Sequence, residues 1–278
     1  MCEFCTKHGE GEKWYLQAKN YSADLVSDIR RQRTTRKWLN YFQNGQMRKD
    51  IDRMDNLLPK VPNALRRVIS SLMTMRQKKE HFGQVVPIED IERIFEMVNS
   101  VVRVPCVCRQ ATLGREVRCC LGVSTSPVVA KLFGESYNIG PDTNGMEQLT
   151  KEEALSFIRN MEKEGVMHSI WTFGTPFIGG VCNCDRSDCV AMRATVNHDL
   201  KMMFKAEYVA FVDNDLCTGC RQCMRQCQFG AMGFSSADRK AYIDSQRCYG
   251  CGVCRAVCEK KAISLQERSS IPILARNW

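Results

Sequence analysis

Apolar residues recur at helical spacing through the first third of the chain. Tyr21, Leu25 and Ile29 are four residues apart, and a second stripe follows Asn63, the expected N-cap of its helix. The second and third stripes comprise Ala64, Leu65, Val68, Ile69 and Leu72, and then Ile91, Ile94, Phe95, Val98 and Val102. The pattern predicts a mostly helical region over residues 14–103, with these stripes facing a core rather than a cofactor.

The middle of the chain carries a helix signature followed by a strand. Thr150 and Glu153 form a capping box, so we expect a helix over residues 151–164 that Gly165 ends. Residues 166–173 then predict a strand, and this helix, turn and strand are compatible with a winged-helix-like unit. Further short apolar runs predict strands at 208–212, 232–234, 241–243 and 262–265. Together these patterns predict an α+β fold.

The composition is that of an ordinary globular chain. Of the 278 residues, 44% are hydrophobic and 26% are charged, which excludes a disordered or collagen-like chain. The mean hydropathy is −0.32, and no run of about 18 residues is purely apolar, so we expect no membrane-spanning helix. Met1–Cys5 is not a basic segment followed by an apolar run, as a secretory signal would be. We therefore expect a cytoplasmic protein.

The net charge of +9 arises near the N-terminus. Between Lys13 and Val86 there are 16 basic and 6 acidic residues, including the basic run at residues 30–37. This run is either a solvated helix face or a docking surface for an acidic partner or nucleic acid.

Two cysteine runs with the same spacing, Cys-x2-Cys-x2-Cys-x3-Cys, lie near the C-terminus. In such runs three thiolates bind one iron-sulfur cluster and the fourth binds the other. Residues 206–266 resemble a bacterial-type ferredoxin with two 4Fe-4S clusters. The resemblance implies that one cluster is bound by Cys217, Cys220, Cys223 and Cys258. It implies that the other is bound by Cys248, Cys251, Cys254 and Cys227.

Residues beside these cysteines support the resemblance and depart from it at two places. Gly219 and Gly250 lie inside the loops, where a small residue lets the backbone fold closely. Ferredoxins of this type usually have Pro after each fourth cysteine, whereas this chain has Gln228 and Glu259. Zinc is the alternative metal for Cys-x2-Cys spacing, but the doubled arrangement favours iron-sulfur clusters.

Seventeen cysteines in a chain without an export signal indicate metal or redox chemistry rather than disulfides. Seven that lie outside the two runs fall in two distant segments: Cys106, Cys108, Cys119 and Cys120, and then Cys182, Cys184 and Cys189. We hypothesise that these segments form a third 4Fe-4S site, with Cys182 and Cys189 as the first choice of ligands and Cys106 and Cys119 as the next. Nearby arginines would offset its charge: Arg103, Arg109, Arg115 and Arg118. The alternative is that these thiols are buried and inert.

Residues 104–266 resemble a group of largely uncharacterised iron-sulfur proteins, through Pro105-Cys-Val-Cys-Arg109 and through Cys182-Asn-Cys184 with Cys189. That resemblance implies electron transfer inside a larger redox system. A rival interpretation uses the pair Cys119-Cys120, because heterodisulfide-reductase-like subunits bind catalytic clusters through repeated Cys-Cys-Gly motifs. Here the pair occurs once and Leu121 follows it.

Residues outside these two segments are further candidates for metal binding. Cys2 and Cys5, with His8 close behind, could bind zinc or supply cluster ligands, or could be a thiol pair at a frayed end. His168 lies in the strand predicted at 166–173, and a hydrogen-bonded core histidine is preferred there to a metal ligand. No phosphate-binding glycine loop or dinucleotide fingerprint is present, so flavin or nicotinamide bound by this chain is not expected.

The sequence therefore predicts three parts: a basic helical region at 1–103, a cysteine-rich domain at 104–205, and a two-cluster ferredoxin domain with a C-terminal tail at 206–278. The expected function is electron transfer through these clusters to or from a larger oxidoreductase, a flavoprotein or metalloenzyme, in an anaerobe. The alternatives are a reductase whose middle site binds substrate, and a redox-sensing nucleic-acid-binding protein. Nucleic acid is not the expected partner.

Overall fold

Seven strands form the main sheet of the computed structural model, which describes residues 12–22, 24–25, 28–126 and 146–275. Their order is β4-β2-β3-β6-β5-β1-β7, and all neighbours are antiparallel except β1 and β7. The strands are β1 Gly83–Val86, β2 Ser100–Val104, β3 Cys120–Ser124, β4 Glu147–Leu149, β5 Met167–Thr172, β6 Ile178–Cys184 and β7 Met203–Phe204. The expected boundary between residues 103 and 104 falls within β2.

Among the described residues, six helices longer than one turn surround this sheet: α1 Ile29–Gln43, α2 Gln46–Leu57, α3 Asn63–Glu80, α4 Ile88–Met97, α5 Val107–Leu113 and α6 Lys151–Lys163. A short helix α7, Val190–Met192, continues into a π-helical turn, Arg193–Asn197. The same part of the chain contains short 3₁₀ segments at Ala18–Tyr21, Leu58–Lys60 and Arg268–Ser270. The prediction of an α+β fold is confirmed.

The two faces of the sheet bury different side chains. Helices α4 and α6 cover one face with an apolar core that includes Ile91, Phe95, Ile158 and Val181. Because side chains alternate along a strand, the neighbours of Val181 on β6 face the other side. That second face carries cysteines, and helices α1 to α3 line the space above it.

The predicted capping box forms at the start of α6. The backbone N–H of Glu153 donates to the Thr150 hydroxyl at 3.2 Å, and the Thr150 N–H donates to the Glu153 carboxylate at 2.8 Å. Strand β5 follows as predicted, but it lies inside the sheet between β6 and β1. This differs from the winged-helix-like unit that the local pattern suggested, because residues distant in sequence supply the strands on either side of β5.

The apolar stripe of α3 does not face the core, so that prediction is wrong. Leu65, Val68 and Leu72 are 53%, 57% and 64% exposed. The helix instead turns a polar side inward, where the Ser70 hydroxyl donates to the Asp199 carbonyl at 2.8 Å. By contrast, Ile91, Ile94, Phe95 and Val98 are buried as predicted.

Boundaries in the N-terminal region also differ from those predicted. Asn63 is the first helical residue of α3, and Pro62 occupies the N-cap position. Val102 is buried on β2 rather than on a helix. The region predicted as mostly helical therefore contains two strands of the main sheet, because short, fully buried strands such as β1 carry no alternating pattern.

The C-terminal part contains two small antiparallel strand pairs. Strand β8, Tyr208–Val212, pairs with β11, Ile263–Glu267, and β9, Met232–Ser235, pairs with β10, Lys240–Ile243. Helices α8, Gln222–Gln226, and α9, Val253–Ala256, lie within the two cysteine runs. All four strands match the sequence predictions closely. Within the described residues, none of the helices is long and apolar enough to cross a membrane.

Candidate metal centres

The first C-terminal site, here called the outer site, brings four thiols around one small space. The four residues line a cavity of about 80 Å³ and are Cys217, Cys220, Cys223 and Cys258. They are the four residues that the resemblance assigned to one cluster. Cys220 is exposed, so the outer site lies at the surface.

The second C-terminal site, here called the inner site, is more deeply buried. Its expected ligands are Cys248, Cys251, Cys254 and Cys227. Backbone amides point at its sulfurs: the N–H groups of Ala231 and Ala210 donate to Cys227 and Cys248 at 3.2 and 3.4 Å. Burial raises the pKa of Cys251 to about 12, and the proximity of Cys248 and Cys227 adds to this. Because iron ligation requires thiolates, bound iron would have to offset this cost.

Gly219 and Gly250 have the backbone conformation that the loops were expected to need. Their φ angles are +71° and +70°, in the left-handed region. A Cβ at Gly219 would collide with the Arg239 carbonyl oxygen, and one at Gly250 would collide with that of Tyr208. Glycine is required at both positions for the conformation and for the space.

The seven middle cysteines converge on one place, here called the seven-cysteine site. Three of the sulfurs, those of Cys106, Cys119 and Cys120, lie within 4.8 Å of one another. The Sγ atoms of Cys184 and Cys189 are 3.2 Å apart. Interactions between neighbouring thiols link Cys106, Cys120, Cys182, Cys184, Cys189 and Cys108 in a ring, with Cys119 beside Cys106 and Cys120. All fifteen described cysteines are free thiols.

Local structure explains how two distant segments supply these thiols. Cys182 and Cys184 lie on β6, where residues i and i+2 share one face of the strand. The sulfurs of both cysteines can therefore reach a single site. Cys120 begins the neighbouring strand β3, while Cys106 and Cys189 stand at the N-caps of α5 and α7. The sheet therefore assembles a site whose members are up to 83 positions apart in sequence.

A buried arginine compensates charge at the seven-cysteine site. The Arg109 guanidinium donates to the Cys119 sulfur and, at 3.0 Å, to the Asn183 carbonyl. It also pairs with Asp185 and, at 3.7 Å, with Asp188. Of the other arginines considered, Arg103 pairs with Glu147, Arg118 pairs with Glu116, and Arg115 is exposed.

Crowding and burial change the acidity of the thiols in both directions: the pKa is lowered for two of them and raised for the other five, which are Cys108, Cys119, Cys120, Cys182 and Cys189. A hydrogen bond from Cys108, with others from adjacent thiols, lowers the pKa of Cys106 well below its usual range. Hydrogen bonds from Cys182 and Cys189 lower the pKa of Cys184 to about 6. Thiolate is the form that binds metal. The thiol-rich donor set, its buried position and the cationic neighbour therefore fit an iron-sulfur cluster.

His168 does not belong to this donor set. Its Nδ1 is 2.7 Å from the Asn183 Oδ1, and burial lowers its pKa to about 4. The neighbouring strand residues show which face it occupies: Ser169, next along β5, contacts the Cys184 sulfur at 3.7 Å. Since side chains alternate, His168 faces away from the thiols. The preference for a core histidine agrees with this position.

Side chains around the inner site join it to the seven-cysteine site. Cys227 and Cys251 pack against the buried cluster that contains Cys184 and Cys189. In the same cluster Phe229 and Tyr249 stack with their ring centroids 4.0 Å apart. The inner site, rather than the outer one, therefore adjoins the middle of the molecule.

Gln228, one of the two departures from the ferredoxin pattern, connects these parts directly. Its side-chain amide donates to the Gly165 carbonyl at 2.9 Å and accepts from the Arg186 backbone N–H at 3.0 Å. Arg186 lies in the segment between Cys184 and Cys189. Glu259, at the corresponding place after the second run, is exposed.

One comparison with known proteins bears on the C-terminal part. Residues 204–262 match the 4Fe-4S dicluster domain family. The dicluster domain contains both C-terminal cysteine runs, and its cysteines indicate iron-sulfur electron transfer. The chain has no match among the curated proteins compared with it.

The N-terminal candidate residues and one buried histidine, His81, complete the comparison with the sequence predictions. Cys2, Cys5 and His8 lie outside the described residues. His81, which sequence reasoning passed over, lies among the rings of Trp38, Trp171 and Phe173, near the seven-cysteine site. Its signal in the sequence is weak, because these aromatic residues come from distant segments.

Proposed function

We propose that the protein transfers single electrons between a partner oxidoreductase and three 4Fe-4S sites. Two are the outer and inner sites of the dicluster domain, and the third is the seven-cysteine site. The observation that carries the third site is the convergence of seven free thiols, five of them buried and three of them within 4.8 Å of one another. A 4Fe-4S cluster supplies one-electron redox chemistry and takes four cysteine ligands.

The order of the sites suggests a path. The outer site has an exposed cysteine, Cys220, and Leu216, which precedes Cys217 in the chain, is half-exposed. The inner site is buried and packs against the cluster around Cys184 and Cys189. Electrons would enter or leave at the outer site and pass through the inner site to the seven-cysteine site.

The protein would hold each site in a different electrostatic setting. Backbone amides at Ala210 and Ala231 donate to sulfurs of the inner site, which stabilises negative charge there. Arg268 is fully buried behind the same site and donates to the carbonyls of Ala206, Tyr208 and Cys248. At the seven-cysteine site, Arg109 supplies a full positive charge. These differences would set different reduction potentials.

The partner would be a larger oxidoreductase, a flavoprotein or a metalloenzyme. The N-terminal basic run lies on α1, where Arg30, Arg33, Arg36 and Lys37 are exposed. We infer that this face could attract an acidic partner surface, and its contribution would decrease with salt.

The deciding experiment is metal analysis of the anaerobically purified full chain. We expect about twelve irons and twelve sulfides per chain without zinc, since each of three cubes holds four. About eight irons would remove the third cluster from the proposal, and zinc without iron would overturn the proposal as a whole. On reduction, spectroscopy should show three one-electron centres.

Two cysteine variants sharpen the assignment. Cys220→Ser should lower the iron content by about four, because four cysteines line the outer site and each is needed. Cys182→Ser should keep about twelve irons, because six thiols remain where four suffice. Equal loss in both variants would contradict this redundancy of the seven-cysteine site.

A further inference from the structure

A large cavity lies between the cysteine-bearing face of the sheet and helices α1 to α3. Its volume is about 920 Å³. Six of the seven middle cysteines line one side: Cys106, Cys108, Cys120, Cys182, Cys184 and Cys189. A cluster held by these thiols would occupy that side. The rest of the cavity is bounded by the helices, and electron transfer through three clusters does not require it.

Aromatic rings form much of the remaining wall. These side chains are Trp38, Tyr41, Phe42, His81, Trp171 and Phe173. The His81 ring lies at their centre, 4.4 Å from Trp38, 5.0 Å from Trp171 and 4.9 Å from Phe173 between ring centroids. Such a wall offers stacking and edge contacts to another ring.

The charged side chains on the wall are already paired. Glu80 lies 2.8 Å from the Lys37 Nζ and 3.2 Å from the Arg76 guanidinium. Asp50 similarly pairs with Arg53 at 3.4 Å. A charged group on a ligand would therefore have to compete with these pairs, whereas a neutral ligand would not.

His81 also adds no charge to the wall near neutral pH. Its Nδ1 donates to the Thr172 carbonyl at 2.5 Å, which fixes the tautomer. Burial lowers its pKa to about 4. The imidazole is therefore a neutral ring beside the indoles of Trp38 and Trp171.

We propose that this cavity binds a neutral, ring-bearing, largely apolar small molecule against the aromatic wall, next to the seven-cysteine site. Sites for small organic ligands have volumes of about 300 to 1,000 Å³ and are mostly apolar with few polar groups. The thiols line the same cavity and pack close to the aromatic side chains, which places the metal centre beside the bound ring. The inference extends the proposed function by giving the seven-cysteine site a ligand of its own.

The test uses 2-naphthol as the probe and equilibrium dialysis at pH 7 with the anaerobic, iron-loaded full chain. We expect saturable binding of one 2-naphthol per chain. The matched anionic probe, 2-naphthalenesulfonate, should bind at least tenfold more weakly, because its sulfonate would lose its hydration at a largely apolar wall whose charged side chains are already in ion pairs. Equal affinity for the two probes would contradict the neutral-ligand inference.

Two matched variants on α3 locate the binding site. Met73 lines the cavity and is 38% exposed, whereas Met75 does not line it and is 65% exposed. Met73→Trp should fill part of the cavity and raise the Kd for 2-naphthol at least tenfold, while Met75→Trp should leave it within about twofold. Because both side chains reach solvent, both variants should fold, and circular dichroism checks this.

Other results of the binding measurements would overturn the inference. No saturable binding, or the same Kd in Met73→Trp as in the native chain, would overturn the inference. Weakened binding in Met75→Trp alone would assign the probe to the exposed stripe of α3 and would also overturn it. Iron is counted on the same samples. An iron content without the third cluster would count against the proposed function, whereas absence of 2-naphthol binding would count against the cavity alone.

Discussion

The dicluster domain and the seven-cysteine site bring thiols together by different means. In the dicluster domain, short loops and turns gather cysteines that are mostly three residues apart, and backbone amides point at the sulfurs. In the seven-cysteine site, a β-sheet gathers cysteines from distant segments, and the thiols contact one another. The first arrangement is local in sequence, whereas the second depends on the tertiary fold.

The two regions also differ in the groups that stabilise negative charge on the cysteine sulfurs. Amides at the inner site contribute dipoles that do not change with pH, and the carboxyl group of Glu162 affects Cys251 electrostatically. The seven-cysteine site instead has Arg109, which carries a full charge and is held by two carboxylates. The comparison suggests that the assembled site depends on one ionic network, while the local sites depend on backbone shape.

Substitution of Arg109 should have the largest effect on stability. Arg109→Met leaves Asp185, Asp188 and the Cys119 sulfur without their cation in a mostly buried place, so we expect a loss of about 3 kcal/mol in the free energy of unfolding. Anaerobic urea unfolding measures this. The matched variant Arg159→Met breaks an exposed pair with Glu92, 2.7 Å long, and should cost less than about 1 kcal/mol.

If the two arginine variants lost the same free energy of unfolding, the buried network of Arg109 would contribute no more to stability than the exposed pair of Arg159. Iron content gives a second measure of the comparison. Arg109→Met should lose iron from the seven-cysteine site, so that about eight irons per chain remain in the dicluster domain. Loss of all the iron would show that the two regions are not independent.

The stability of the protein should depend on pH through Glu162, which lies on α6 and acts on Cys251 of the inner site. Glu162 is buried, its Oε1 has no hydrogen-bond partner among the described residues, and burial raises its pKa from the usual 4.5 to about 7. The folded protein therefore retains a proton that the unfolded chain releases, and stability falls as the pH rises from about 4.5 to 7. Glu162→Gln should be more stable than the native chain at pH 8, by at most about 3 kcal/mol.

This difference should shrink as the pH is lowered to 5, because the native carboxyl is then protonated. Urea midpoints at pH 5, 6, 7 and 8 measure it. Glu164→Gln, at an exposed position two residues along, is the control and should show no such pH trend. A Glu162→Gln variant that is less stable than the native chain at pH 8 would contradict the buried-acid interpretation.

The sequence predicted the two sites of the dicluster domain well, because the residues that form them lie close together in the chain. The spacing of the cysteine runs, the glycines at 219 and 250 and the short strands around them all have counterparts in the structure. The extent of α6 and its capping box were also predictable, since the signals that begin and end the helix lie within a few residues of its ends. Such features depend on backbone conformation more than on distant neighbours.

The seven-cysteine site was only partly predictable. The sequence indicated that two distant segments meet, but it could not show that Cys182 and Cys184 share one strand face, because that requires β6 to be a strand. Similarly, the apolar stripe of α3 predicted burial at Leu65 and Leu72, yet the helix packs through polar contacts at Ser70. Periodicity reports which face of a helix is apolar and not what lies against it.

The smallest effect we predict tests the connection between the two regions. Gln228→Pro restores the residue usual in ferredoxins but removes the hydrogen bonds to Gly165 and Arg186, and should cost about 1 to 2 kcal/mol. Glu259→Pro makes the same change after the second run at an exposed position, and should stay within about 0.5 kcal/mol of the native chain. Anaerobic urea unfolding compares them. If both variants behaved alike, Gln228 would be a neutral departure from the ferredoxin pattern, and the connection between the dicluster domain and the seven-cysteine site would rest on other contacts, among them the packing around Cys227 and Cys251.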